Sequence, residues 1–110
     1  MSTINDHIQD QINSHDVVIY MKGNDKFPLC GFSATVVQIF KTLNVDFKAI
    51  DVMQDGDLRE GIKAFTNWPT IPQVYIKGEF MGGCDILREM YQSGELQNLL
   101  SEKGIVYKAP

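Results

Sequence analysis

The sequence lacks any apolar run approaching the roughly 18 residues that a membrane-spanning helix needs, so we expect no membrane partner. Its first residues lack the basic end and the apolar stretch of a secretory signal. They also lack the arginine-rich character of an organelle transit peptide. Together these absences predict a cytoplasmic protein.

Basic residues are also in short supply. Lysine and arginine number 10 against 14 aspartates and glutamates, which gives a formal net charge of -4. A nucleic-acid binder normally presents a basic face, so we expect no nucleic-acid partner. We likewise expect Trp68, Tyr20 and the phenylalanines to lie in the core rather than on a base-stacking surface.

Cysteine is scarce, with Cys30 and Cys84 as the two examples in 110 residues. A secreted disulfide scaffold of this length usually carries more, so we expect free thiols in a reducing compartment. The length suits one hydrophobic core but not two, which predicts a single domain over residues 1–110. The sequence contains no C-x-x-C pair, phosphate-binding glycine loop or dinucleotide-binding glycine pattern. The surroundings of each cysteine must therefore decide between packing and chemistry.

The spacing of apolar residues predicts alternating helices and strands. The predicted elements are a helix over 3–14, a strand over 17–21, a loop over 22–29, a helix over 30–43, a strand over 45–52, a helix around 58–65, a hairpin of 73–77 and 79–81, helices over 85–93 and 95–103, and a frayed tail over 105–110. A strand–helix–strand unit pairs its strands in parallel, and a hairpin adds two antiparallel strands. We therefore predict an α/β fold of the thioredoxin-like kind, with a mixed four-stranded sheet flanked by helices on both faces.

Cys30 lies where the predicted loop meets the start of a helix, with Lys22 and Lys26 nearby in sequence. Free N–H groups and the dipole of a helix start stabilise an anion, so we expect a lowered thiol pKa. A small buried apolar cysteine is the alternative. Ser33 stands where a C-x-x-C enzyme holds its second cysteine, and a hydroxyl cannot resolve a mixed disulfide. Disulfide exchange at Cys30 would therefore need an outside thiol, or Cys84 if it comes close enough.

Residues 30–33 have the sequence CGFS, which resembles the active-site motif of monothiol glutaredoxins. Three more segments stand in that family's order and spacing, namely MKG at 21–23, NWPTIPQ at 67–73 and GGCD at 82–85. The similarity extends over residues 17–100. The resemblance implies the thioredoxin fold and a glutathione site, with Cys30 as nucleophile and as metal ligand.

For the glycine carboxylate of glutathione, the resemblance implies a cationic clamp formed by Lys22 and Arg59. Without the resemblance, both would be interpreted as solvated surface charges. The resemblance also implies a cis bond before Pro72, which would aim the backbone of Ile71 at the cysteinyl part of glutathione. The sequence without the resemblance would instead predict a trans bond, because cis bonds are a small minority even before proline.

At the other end of glutathione, the resemblance implies that the backbone N–H groups of Cys84 and Asp85 meet the γ-glutamyl carboxylate. The carboxylate of Asp85 would meet the γ-glutamyl amine. Both residues open a predicted helix, where free N–H groups favour an anion. Taken alone, Asp85 would be interpreted as a helix cap. A disulfide between Cys30 and Cys84 stays open as a less favoured alternative.

A [2Fe–2S] cluster takes four thiolate ligands. One protomer would supply one through Cys30, a homodimer two, and two glutathiones the remaining pair. The resemblance thus favours an iron–sulfur cluster carrier whose partners are a second copy, apo acceptor proteins and a BolA-like protein. The alternative is an oxidoreductase that removes glutathione from mixed disulfides, with Cys30 as nucleophile and free glutathione as resolving thiol. An adaptor without a redox role is a third hypothesis.

The spacing between Lys22 and Cys30 bears on this choice. Lys22 lies eight positions before Cys30, farther than in dithiol glutaredoxins of the C-P-Y-C type. The additional segment, residues 23–29, could reposition the thiol of glutathione relative to Cys30. As in the family, we expect this to slow disulfide reduction and to favour metal ligation.

Overall fold

Helices and strands follow the predicted order in the computed structural model, which describes residues 3–108. They are α1 (Ile4–Ser14), β1 (Val17–Met21), α2 (Gly31–Thr42), β2 (Lys48–Asp51), α3 (Gly56–Thr66), β3 (Gln73–Ile76), β4 (Glu79–Gly82), α4 (Cys84–Ser93) and α5 (Glu95–Glu102). A 3₁₀ turn, Val52–Gln54, joins β2 to α3. The first helix begins after Thr3, whose hydroxyl accepts the backbone N–H of Asp6 and whose own backbone N–H donates to the Asp6 carboxylate.

The four strands form one mixed sheet in the order β2-β1-β3-β4. β1 pairs with β2 in parallel and with β3 antiparallel, and β3 pairs antiparallel with β4. All five residues of β1 are buried, which is what a central strand covered on both faces requires. The predicted fold class is therefore confirmed.

Successive side chains of β1 point to opposite faces of the sheet and so build two hydrophobic clusters. Val17, Ile19 and Met21 pack with the inner faces of α2, α4 and α5. Val18 and Tyr20 pack with α1 and α3. The sheet is thus covered by helices on each face, and the loops at the carboxyl end of β1 are left free to form a site.

The second strand is shorter than the predicted 45–52. The backbone N–H of Val45 donates to the carbonyl of Phe40, so this residue helps to end α2 instead of entering the sheet. At the other end, the side chain of Asp51 accepts a hydrogen bond from the N–H of Met53 and turns the chain into the 3₁₀ turn. Local hydrogen bonds at both ends therefore limit the strand to Lys48–Asp51.

The predicted frayed tail is wrong for residues 105–108, whereas Ala109 and Pro110 lie outside the described residues. The Ile105 side chain is 8% exposed and belongs to the cluster under α5. Its N–H donates to the carbonyl of Leu100, and the N–H of Lys108 donates to the carbonyl of Leu43. The segment after α5 therefore packs back onto the end of α2.

We predict that Ile105→Ala lowers the free energy of unfolding by about 2 kcal/mol or more, because it opens a cavity in a packed cluster. The matched control is Val106→Ala, since Val106 is 86% exposed. That change should stay within about 0.5 kcal/mol. Urea unfolding followed by circular dichroism measures both, and equal midpoints for the two variants would contradict the packing role of this segment.

Candidate functional site

Cys30 is the residue from which the site is built. It lies at the N-cap of α2 in an extended conformation, and its carbonyl accepts the N–H of Ala34. The backbone N–H groups of the first helical turn have no partner within the helix, so they are available to the sulfur. The half-buried thiol thus lies at a helix start just beyond the carboxyl end of β1.

The surroundings of the sulfur favour its ionised form. The backbone N–H of Ser33 lowers the pKa of the Cys30 thiol, while partial burial works against it. The N–H of Phe32, the charge of Lys22 and the hydroxyl of Ser33 lower the pKa further. The net pKa lies below the ordinary thiol value, which confirms the expectation from the helix start.

Cys84 is a different kind of cysteine, although it borders the same cleft. It is the first residue of α4 and is 7% exposed. Burial raises the pKa of its thiol, and the charge of Arg88 and a hydrogen bond with Thr35 only partly offset this. Both cysteines are free thiols in the structure. Cys30 is therefore suited to chemistry and the Cys84 sulfur to packing.

A cleft of about 830 Å³ opens beside Cys30. All six residues predicted for the site border it, and they come from widely separated segments: Lys22, Cys30, Arg59, Ile71, Cys84 and Asp85. The fold therefore brings together six residues that come from distant parts of the sequence. Their roles towards glutathione stay predictions.

One wall of the cleft is the loop between α3 and β3. The peptide bond between Ile71 and Pro72 is cis, as the resemblance implied. Gln73, which is fully buried, donates from Nε2 to the carbonyls of Trp68 (3.1 Å) and Thr70 (3.3 Å). Gln73 was not predicted from the sequence, in which its signal is a lone polar amide at the start of an apolar strand. Gln73 holds the loop that presents the backbone of Ile71.

The opposite wall is the start of α4, where Gly83 is the N-cap. A Cβ at Gly83 would lie 3.1 Å from the carbonyl oxygen of Pro72 and 3.5 Å from Nε1 of Trp68. The absence of a side chain therefore lets the two walls approach each other. The first N–H groups of α4, those of Cys84 and Asp85, lie at this end of the cleft and have no partner within the helix.

Two side-chain donors in the cleft walls are buried without a hydrogen-bond partner. They are Nε of Arg59 and Nε1 of Trp68. The guanidinium of Arg59 reaches only Oε1 of Glu60, at 3.8 Å, and Sδ of Met53, also at 3.8 Å. Buried donors normally have acceptors, so these two mark the cleft as suited to an acceptor-rich ligand.

The loop from Lys22 to Cys30 is well ordered by its own hydrogen bonds. The N–H of Leu29 donates to the carbonyl of Lys22 at 2.9 Å. The side chain of Asn24 accepts from two backbone N–H groups of the turn, and the N–H of Gly23 donates to Asp51 at 3.1 Å. Ser33, which is fully buried, accepts the N–H of Lys22 at 3.2 Å. The additional segment is thus a fixed turn that places both Lys22 and Cys30.

Comparisons with known proteins identify the family. The sequence model described as glutaredoxin matches residues 17–81. The chain is 55% identical over 93 residues to a probable monothiol glutaredoxin 2 of Rickettsia conorii, covering 84% of this chain and 87% of the relative. It is 46% identical over 109 residues to glutaredoxin 4 of Escherichia coli K12, covering 99% of this chain and 95% of the relative. The chain belongs to the monothiol glutaredoxin family.

A solved structure supports the same assignment for this glutaredoxin. It is the solution structure of a monomeric truncated mutant of Trypanosoma brucei 1-C-Grx1, with 35% sequence identity and a TM-score of 0.88. The match covers 100% of both chains. Among residues 3–108, no helix of the glutaredoxin is long and apolar enough to cross a membrane. Within the same residues, no three or more His, Cys, Asp or Glu side chains group to hold a metal ion.

Three large apolar side chains within three residues of Cys30 in sequence are exposed on the surface of the glutaredoxin. Phe27, Leu29 and Phe32 are 73%, 68% and 61% exposed, and we call them the apolar rim. The expectation that the phenylalanines lie in the core is therefore wrong for Phe27 and Phe32. Trp68 is only half-buried and lines the cleft. Phe32 lies in the first turn of α2 and lines the cleft. Grouped exposed apolar residues mark interaction surfaces.

We predict that iodoacetamide alkylates Cys30 at a pH where Cys84 stays unmodified. The fold lowers the pKa of Cys30 and raises that of Cys84, so between those two values only Cys30 is a thiolate. Below the Cys30 pKa neither thiol should react. Intact-protein mass spectrometry over a pH series measures this for Cys30→Ser and Cys84→Ser proteins. Equal reactivity of the two remaining thiols would contradict the prediction.

We also predict that Gly23→Ala destabilises the protein by at least about 1–2 kcal/mol, the cost of a left-handed conformation for a residue with a Cβ. Gly23 has φ +84, and an added Cβ would collide with the carbonyl oxygen of Phe27. Gly56→Ala is the matched control, because nothing lies within 4 Å of its Cβ position. Urea unfolding of both variants measures the difference, and an unchanged midpoint for Gly23→Ala would show that the turn is adaptable.

Proposed function

We propose that this glutaredoxin binds glutathione in the cleft, with the thiol of glutathione beside Cys30. The observation that carries the proposal is the arrangement along the cleft of a thiol with a lowered pKa, the cations Lys22 and Arg59, and a helix start. Glutathione has a thiol near its middle and a carboxylate at each end. The distribution of charge and donors in the cleft therefore matches this tripeptide.

In this proposal Lys22 and Arg59 take the glycine carboxylate. The buried Nε of Arg59, which has no hydrogen-bond partner, supports this role because a carboxylate would supply an acceptor. The backbone of Ile71 pairs with the cysteinyl part. The N–H groups of Cys84 and Asp85 take the γ-glutamyl carboxylate, as helix starts favour anions, and the exposed carboxylate of Asp85 takes the γ-glutamyl amine.

We further propose that the protein carries a [2Fe–2S] cluster between two protomers. Such a cluster takes four thiolates, and Cys30 gives each protomer one sulfur that ionises readily. The sulfur of Cys84 is buried with a raised pKa, so it is poorly suited as a second ligand. Two Cys30 thiolates and two glutathione thiolates would complete the set. When bound, the cluster would supply the cargo that is handed on in iron–sulfur assembly.

The apolar rim supports a second surface docking over Cys30. Phe27, Leu29 and Phe32 are exposed although the loop and α2 hold them in place, so burying them against a partner gains free energy without first ordering a segment. The partners we propose are a second copy in the homodimer, apo acceptor proteins and a BolA-like protein. We expect the cytoplasm as the compartment, where Cys30 and Cys84 would stay reduced.

A second candidate function is glutathione-dependent oxidoreduction, and the lowered pKa of Cys30 favours it. The Cys30 thiolate would attack the glutathione sulfur of a mixed disulfide, forming a bond to that sulfur and releasing the other thiolate. Free glutathione would then attack the Cys30–glutathione disulfide and leave as oxidised glutathione. Ser33 stands where a resolving cysteine would lie, so we expect this activity to be weak.

Anaerobic reconstitution with iron, sulfide and glutathione tests the proposal. We predict a brown dimer whose visible absorption requires both glutathione and Cys30, so Cys30→Ser should give a colourless monomer. Cys84→Ser is the matched cysteine control, and it should still load because it keeps the backbone N–H. Analytical ultracentrifugation and absorption spectra measure these outcomes. A colourless monomer of the unaltered protein would contradict the cluster role, and rapid turnover of mixed disulfides would then favour the oxidoreductase.

A further inference from the structure

The proposed clamp consists of the cations Lys22 and Arg59. The carboxylate of Asp51 hydrogen-bonds to the chain segment that carries Lys22 and to the chain segment that contacts Arg59. Oδ1 accepts the backbone N–H of Gly23 at 3.1 Å and that of Met53 at 2.9 Å. Oδ2 accepts Nε2 of Gln54 at 3.3 Å. One half-buried side chain therefore binds backbone atoms of two separate segments.

One of these segments carries Lys22, and the other contacts Arg59. Gly23 directly follows Lys22, at the start of the loop that leads to Cys30. Met53 lies in the 3₁₀ turn that leads to α3, and its Sδ is 3.8 Å from Nη1 of Arg59. Asp51 thus joins the segment that holds Lys22 to the segment that supports Arg59.

The position of Asp51 in the sheet explains why a side chain is needed here. The parallel pairing of β1 and β2 ends with the pair Met21 and Asp51. Beyond this pair, Gly23 on the β1 side turns into the loop and the β2 side turns into the 3₁₀ turn. The Asp51 carboxylate takes the place of the next backbone hydrogen bonds between the two strands, and so holds the two segments together.

We propose that Asp51 is a positioning residue that sets the separation of Lys22 and Arg59, and so determines how well glutathione is held. The inference rests on the proposed glutathione site. Asp51 does not border the cleft, and in the described part of the chain no ion pair joins it to either cation. It acts through the backbone, since its contacts are with N–H groups and one amide side chain.

The equilibrium between the protein and oxidised glutathione reports how firmly glutathione is held. The Cys30 thiolate attacks one sulfur of oxidised glutathione, a Cys30–glutathione disulfide forms, and the second glutathione leaves as a thiolate. The fraction of modified protein at fixed ratios of oxidised to reduced glutathione gives the equilibrium constant by intact-protein mass spectrometry. A Cys84→Ser background keeps the other thiol out of the reaction.

Three substitutions of Asp51 separate its geometry from its charge. Asp51→Ala should lower the equilibrium constant roughly five- to tenfold, about the size of one ordinary hydrogen bond lost between glutathione and the displaced clamp. Asp51→Asn keeps an oxygen for Gly23 and Met53 and should stay within about twofold. Asp51→Glu keeps the charge but moves the oxygens by one methylene, so it should lower the constant. The exposed Asp46, changed to Ala, is the control and should have no effect.

The order of the Asn and Glu variants decides the question even if Asp51→Ala fails to fold. A low constant for Asp51→Glu with a nearly unaltered one for Asp51→Asn supports positioning. The reverse order, or no loss in any Asp51 variant, overturns the proposal. In a protein that also carries Lys22→Ala and Arg59→Ala, the effect of Asp51→Glu should disappear, because the groups that it positions are gone.

The same measurements distinguish this inference from the proposed function. If Lys22→Ala and Arg59→Ala leave the equilibrium constant unchanged, the proposed glutathione clamp itself is wrong. If both lower it while the Asp51 variants do not, only the positioning role is wrong. An Asp51 effect that persists in the absence of both cations would indicate a general loss of structure, which also overturns the proposal.

Discussion

The position of the Ser33 backbone N–H in the first turn of α2, beside the Cys30 sulfur, is the constraint on which the site depends. This N–H lowers the thiol pKa more than any other contact, and it lies there only because α2 begins immediately after Cys30. Ser33 also accepts the N–H of Lys22, so one buried serine connects Cys30 to Lys22. Its hydroxyl thus lowers the Cys30 pKa and orders the start of the loop.

The cleft around this sulfur is held by polar side chains that do not themselves border it. Gln73 secures the loop that presents Ile71, Asn24 orders the turn before Cys30, and Asp51 connects that turn to the 3₁₀ turn after β2. Each uses a side-chain oxygen or amide to satisfy backbone groups that no helix or strand pairs. The loop geometry is therefore maintained by polar side chains of different burial: Gln73 is buried, Asp51 half-buried and Asn24 exposed.

The surface near Cys30 departs from the usual rule of burial. Large apolar side chains are normally placed inside, yet Phe27 and Leu29 are exposed on the hydrogen-bonded turn before Cys30, and Phe32 is exposed on the first turn of α2. By contrast Ile105, which follows the last helix, is buried where a frayed tail was expected. The apolar character of these residues could not predict which of them are buried, because burial depends on whether the chain segment packs against the sheet and its helices.

The order of helices and strands, the fold class and the family could all be obtained from the sequence, because periodicity, turn residues and the CGFS motif are local features. The lowered pKa of Cys30 was predictable for the same reason, since it arises from the helix that begins at that residue. The shared cleft and the link from Asp51 to Gly23 required the tertiary structure. They join residues far apart along the chain, and only the packing of helices on the sheet decides which of these meet.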